Sequence, residues 1–221
     1  MFERLKSALF ARTPAAAADE ALAQWARERL LNHMTLLGGA YALGGRLHDR
    51  PFRAECIATS RVYMQGMELM AKADLGLSPD VTVIVMNRAL KRSFEAMANE
   101  LYAEATDTLR TTRKALPEEV RWLSMFRDAG WPGPHSDFWG RYAVLTDSPE
   151  TARHWLDAAS ITMLMDWPGE PGWDAPRLFM LTRGKTYLRM QVGQLGDSSS
   201  PLHALDIFEH LSGNALKLLE H

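Results

Sequence analysis

The stretch SPDVTVIVMNRALKRSFEAMANELYAEATDTLRTTRK, residues 78–114, decides how the chain is read. Ser78 suits a helix cap, Pro79 the first helical position and Asp80 the positive end of the helix dipole. Behind them Met86, Leu90, Phe94, Met97, Leu101, Ala105 and Leu109 recur at intervals of 4, 4, 3, 4, 4 and 4, the period of one helical face. The spacing predicts a single helix over 79–113, about 50 Å long, of the kind that forms the spine of a bundle or a dimer interface. The β-branched run from Val81 to Val85 leaves a strand as the alternative for its first turns.

Upstream, Asp19-Glu20 opens a helix whose apolar residues Leu22, Trp25, Leu30, Met34 and Leu37 run on to Gly38-Gly39. Phe52 to Leu75 reads as a further helix ended by Gly76. Within it Met64, Met67 and Met70 fall along one side. Thioethers suit Cu(I), but no further soft ligand stands beside them, so the stripe reads as core. Cys56 reads as a buried, inert thiol. Residues 1–12 form a short amphipathic helix with Phe2, Leu5 and Leu9 on one face, lacking the uninterrupted apolar run of a secretion signal. The resulting division is an N-terminal helix and linker over 1–18, a helical region over 19–130 and an α+β region over 131–221.

In the last region the character changes. Six of the seven tryptophans lie between Trp122 and Trp173. Arg141–Thr146 reads as a strand, and Asp147-Ser148-Pro149-Glu150 caps a helix carrying Trp155. Arg177–Thr182 and Lys185–Val192 read as a hairpin about Arg183-Gly184, with Leu188, Met190 and Val192 alternating against Tyr187, Arg189 and Gln191. Ser200-Pro201 starts a final helix. The expected fold is therefore α+β but mostly helical: an N-terminal helical bundle, then a β-α-β-β-α unit with a small antiparallel sheet, the two regions free to pack as one domain.

The run Phe138-Trp139-Gly140-Arg141-Tyr142-Ala143-Val144-Leu145-Thr146-Asp147, followed by Ala152-Arg153, Leu156 and the hairpin, resembles the C-terminal half of an uncharacterised bacterial domain family over residues 138–192. The resemblance implies a strand, a short Asp-containing turn, a helix opening on Ala-Arg and a strand pair. It supplies no catalytic residue.

Composition excludes several function classes. The 221 residues are 47% hydrophobic and 24% charged, the balance of a globular chain. With 25 basic and 27 acidic residues the net charge is −2, which offers no general attraction to nucleic acid. Residues 1–116 hold 16 basic and 13 acidic groups, and residues 117–221 hold 9 and 14, so the halves differ by sign, +3 against −5. No run approaches the roughly 18 apolar residues of a membrane span, and the cytoplasm is the expected compartment. The basic cluster Arg110 to Lys114 lacks the wide surface and stacking rings of a nucleic-acid site.

Chemistry-bearing motifs are sparse. No nucleophile elbow, phosphate loop or dinucleotide fingerprint occurs. His203, Asp206 and His210 share a helical face and are a second metal candidate, but that face reads as solvated, so no metal or other cofactor is expected. His135 and Asp137, with Asp166 and Glu170, would line a cleft between the two regions if the protein were an enzyme or a small-molecule binder. The preferred reading is a non-enzymatic protein of bacterial type that binds another protein, as adaptor, chaperone or inhibitor, and that dimerises through the long helix. Its contact residues would be Trp131, Pro132 and His135 of the first Trp-Pro-Gly loop, Trp139 beyond it, and Trp167, Glu170 and Trp173 of the second loop. Proline stiffens such loops, and tryptophan anchors interfaces.

Overall fold

Arg183 and Gly184 turn the chain at φ +52° and +71°, the two left-handed conformations of a tight hairpin turn. They join β8 (Arg177–Thr182) to β9 (Lys185–Val192) in the expected register. The computed structural model describes residues 14–78, 81–108, 118–168, 174–193 and 198–218, and this hairpin lies near the middle of a sheet far larger than the sequence suggests. Among the described residues nine strands form one antiparallel sheet in the order β1-β2-β3-β4-β9-β8-β5-β7-β6. The remaining strands are β1 (Asn32–Thr35), β2 (Tyr41–Leu47), β3 (Arg50–Ala58), β4 (Met67–Asp74), β5 (Val83–Asn87), β6 (Arg127–Ala129) and β7 (Tyr142–Thr146).

This corrects the expectation of an N-terminal helical bundle and a small sheet. The predicted helix over Phe52–Leu75 is the pair β3 and β4. Phe52, Ala54 and Cys56, and across from them Leu69, Ala71 and Ala73, are buried at a strict period of two. The first helix, α1 (Pro14–Glu28), does not run on to the glycines. It ends where Leu30 takes φ +56° and the Leu31 N–H reaches the Ala26 carbonyl at 2.9 Å, a Schellman closure made without glycine. The long helix is also divided. Its β-branched start is β5, and helix begins only at α2 (Arg88–Thr108). Met86 is therefore a strand residue, while Leu90 and Phe94 are buried against this chain's own sheet. The segments 1–13 and 219–221 lie outside the described residues.

Two layers of side chains explain why the sheet holds. Val83 and Val85 of β5 belong to one core with Leu188, Phe52, Trp155 and Phe208; Ile84 and Met86 belong to another with Leu145, Met180 and Phe94. Strands β5, β7 and β8 are thus covered on both faces, which is why they read as unbroken apolar runs. The first core is roofed by α1, α5 (Pro149–Trp155), α6 (Ala158–Met165) and α7 (Ser199–Lys217), with α7 lying on β9 and β4. The second is roofed by α2 and α3 (Glu118–Met125). On that second side the outward residues of β3, β4 and β9, among them Arg53, Lys72 and Arg189, are left at the surface or half-buried, except Glu68 of β4, which is buried and accepts from Arg61 at 2.8 Å. Large exposed apolar side chains gather at the β1 edge: Leu30, Met34, Leu36 and Leu37. No helix among the described residues is long and apolar enough to cross a membrane.

Candidate functional site

The first Trp-Pro-Gly loop leads into α4 (Ser136–Arg141), a single helical turn and a half that is anchored by the fully buried Phe138. His135 caps it, its Nδ1 accepting from the Asp137 N–H at 3.3 Å. Phe138 packs edge-on against Trp139 at 4.9 Å between ring centres, and Trp139 in turn supports Trp131 at 5.0 Å. Trp131, Pro132 and His135 then form one wall of a hollow of about 640 Å³, opposite Leu156, Ile161 and Met165 at the junction of α5 and α6. The structure thus brings four of the predicted contact residues together.

The other predicted residues part company with them. Trp167 is only 5% exposed. The Arg177 guanidinium lies 4.1 Å from its ring centre, and His203 meets it edge-on at 5.3 Å, so it is an anchor inside the molecule. Glu170 and Trp173 lie outside the described residues. Asp166 closes the end of α6 and is exposed. His135 and Asp137 approach to 3.3 Å, but their side chains are 78% and 66% exposed, so the pair sits on an open rim and not in an enclosed chamber.

The candidate metal ligands do not converge. His203 Nε2 lies 2.7 Å from the Met163 carbonyl oxygen. Asp206 accepts from the Trp25 indole N–H at 2.7 Å and from Arg29 at 3.0 Å. His210 Nε2 lies 3.0 Å from Asp157 Oδ1. The face that reads as solvated is instead half-buried, and each group staples α7 to a neighbouring helix. Among the described residues no three His, Cys, Asp or Glu side chains group as metal ligands. Burial pushes the Cys56 thiol up to about 11, against a smaller opposing effect of the Tyr41 hydrogen bond, so the nucleophilic thiolate is disfavoured. Met67 and Met70 are three apart on β4 and so point to opposite faces of the sheet.

A second hollow, of about 670 Å³, was not legible in the sequence. It lies on the other side of the sheet, where α3 ends over the β8–β9 hairpin. Arg121, Trp122 and Phe126 line it from the helix side; Met180, Tyr187 and Arg189 line it from the sheet, with Arg183 at the turn. The available signal was the outward set Tyr187, Arg189 and Gln191, but its neighbours come from segments some 60 residues away.

Neither a family model nor a curated protein sequence matches this chain. Among solved structures, the crystal structure of the mycobacterial trehalose monomycolate transport factor A is similar at 11% identity and a TM-score of 0.46, over 92% of this chain and 95% of that one.

Proposed function

We propose that this protein binds another polypeptide without transforming it, and that the hollow beside Trp131 receives an apolar turn or short helix of the partner. The observation that carries this reading is how the polar groups of the hollow are employed. His135 caps α4, and Asp157, which also lines the hollow, caps α6 through the Ser160 N–H at 2.8 Å. With these two groups engaged in holding helix ends, and the other polar lining residues, Asp137, Arg153 and Thr162, exposed to solvent, Trp131, Pro132, Leu156, Ile161 and Met165 offer a stiff apolar surface. Rigid aromatic and proline contacts lose little entropy on binding, which favours their use as anchors.

The test is to pan a library of random dodecapeptides against the full chain and to titrate the enriched sequences. Binding should weaken by roughly tenfold or more in Trp131→Ala and in Ile161→Arg, the loss expected for an interface anchor. Far-ultraviolet circular dichroism should be unchanged in both. Enriched peptides that bind both variants as tightly as the parent would overturn the assignment.

A further inference from the structure

We propose that two copies of this chain associate edge to edge through β1, the two strands pairing antiparallel about a two-fold axis beside Met34 and joining both sheets into one. β1 ends the sheet, so one side of its backbone has no strand to bond. Which groups face that side follows from the register. The Leu36 N–H donates to the Ala40 carbonyl at 2.8 Å, and from there Thr35 stands opposite Tyr41 and Met34 opposite Ala42. Bonded and non-bonded pairs alternate along an antiparallel ladder, so Asn32, Met34 and Leu36 bond inward to β2, while His33 and Thr35 turn their N–H and C=O groups outward. Leu31, next in the outward set, already donates its N–H to the Ala26 carbonyl. Among the described residues no hydrogen bond reaches the backbone groups of His33 or Thr35 on the outer side.

Two features select a second copy as the occupant. The first is charge. From Leu30 to Gly45 the chain carries no Asp, Glu, Lys or Arg. A two-fold axis sets every charge near its own sign, so a neutral edge suits self-pairing. The far edge of the sheet is built the other way. There β6 is three residues long, with Arg127 and Asp128 both exposed, the guarded form of an edge. The second feature is apolar surface. Leu30 and Leu37 are more than nine-tenths exposed and Met34 is 61% exposed, with Leu36 beside them. With the axis beside Met34, His33 falls opposite Thr35 of the partner subunit, and every outward N–H and C=O of the two residues is bonded. The two Met34 side chains then meet across the axis, on the side of the sheet that has no helix over β1 to β4. The paired edges and these side chains bury an area on the order of 1,000 Å² in the two copies, the lower limit of a specific interface, which places the dissociation constant in the micromolar range.

Sedimentation velocity of the intact chain from about 1 µM to about 200 µM should show a monomer passing into a dimer, and stability measured at or below about 1 µM is that of the monomer. Met34→Lys sets two ammonium groups face to face and should weaken the dimer roughly tenfold or more, and Met34→Glu should do the same with two carboxylates. Position 34 is exposed, so both variants should keep the far-ultraviolet circular dichroism of the parent. An equimolar mixture of the two should dimerise more tightly than either alone, because the axis places position 34 opposite itself. Ile161→Arg, in the hollow beside Trp131, should dimerise like the parent, which separates this surface from the polypeptide site. A mixture no tighter than its separate components would refute the pairing. So would a monomer at every concentration: if removal of residues 1–13 then produced a dimer, the chain's own N-terminal segment would be the occupant of the edge, and if it did not, the edge would belong to a strand of a different protein.

Discussion

Asp157 concentrates three contacts on one oxygen. Its Oδ1 accepts from the Ser160 N–H at 2.8 Å and the Ser160 hydroxyl at 2.7 Å, and lies 3.0 Å from His210 Nε2. Burial alone would raise its pKa, but the Ser160 bonds, followed by His210, outweigh it and bring the carboxyl down to about 2. A folded-state pKa below the unfolded one means the carboxylate stabilises the fold above the unfolded value and stops doing so as pH falls through the folded value. Urea midpoints should therefore drop between about pH 4 and about pH 2, and Asp157→Asn should show a smaller drop over that window. At neutral pH, Asp157→Ala should cost about 1 kcal/mol as a lost helix cap, read from the same midpoints. Gly184 presents a steric case. Its φ of +71° admits glycine readily, and an added Cβ would overlap the Leu77 carbonyl oxygen. Gly184→Ala should lower stability by about 1–3 kcal/mol, measured by thermal unfolding.

Among the elements, α5 and α7 are joined by a reciprocal pair of bonds. The Trp155 indole N–H donates to the Leu211 carbonyl at 2.9 Å, and the Asn214 amide donates to the Trp155 carbonyl at 3.1 Å. Both side chains are buried. Trp155→Ala should cost about 3–5 kcal/mol through the cavity it leaves, and Asn214→Ala about 1–3 kcal/mol through an unpaired buried carbonyl, both read as shifts in denaturant midpoint. Leu37 offers the contrast. It is 97% exposed beside β1, so Leu37→Ser should change the midpoint by less than about 0.5 kcal/mol. The Ser148-Pro149 start of α5 is legible because capping is local: Ser148 does accept from the Thr151 N–H. The Trp155 staple is not, because Leu211 is 56 residues away.

For the whole molecule the decisive fact is that strands from either side of residue 130 alternate in one sheet. β4 pairs with β9 from Met67↔Val192 to Asp74↔Lys185, and β5 lies between β7 and β8. A chain ending at residue 130 would leave β4 with one open edge and β5 with two. That truncated chain should show no cooperative thermal transition, while the intact chain should unfold with coincident transitions by far-ultraviolet circular dichroism and tryptophan fluorescence. A fragment that melted cooperatively would show that the N-terminal strands suffice for a core of their own.

What the residues determined by themselves was local. The β8–β9 hairpin and the capped start of α5 rest on turn chemistry, alternation or capping within a few residues, and those interactions are the same in a short segment as in the fold. The two Trp-Pro pairs could not be told apart in this way: Trp131 lines a hollow while Trp167 is buried, because the packing around an indole, and not its neighbour in sequence, decides where it sits. Only the tertiary structure decided the meander from β1 to β4. Its inward positions include Ala54, Cys56, Ala71 and Ala73, residues small enough to satisfy a helical or a strand period, and each strand becomes stable only when a neighbour supplies its hydrogen bonds. The second hollow belongs to the same class: Arg121, Trp122, Tyr187 and Arg189 come to line one space only when α3 and the hairpin are laid side by side, because proximity in space is set by packing and not by spacing along the chain.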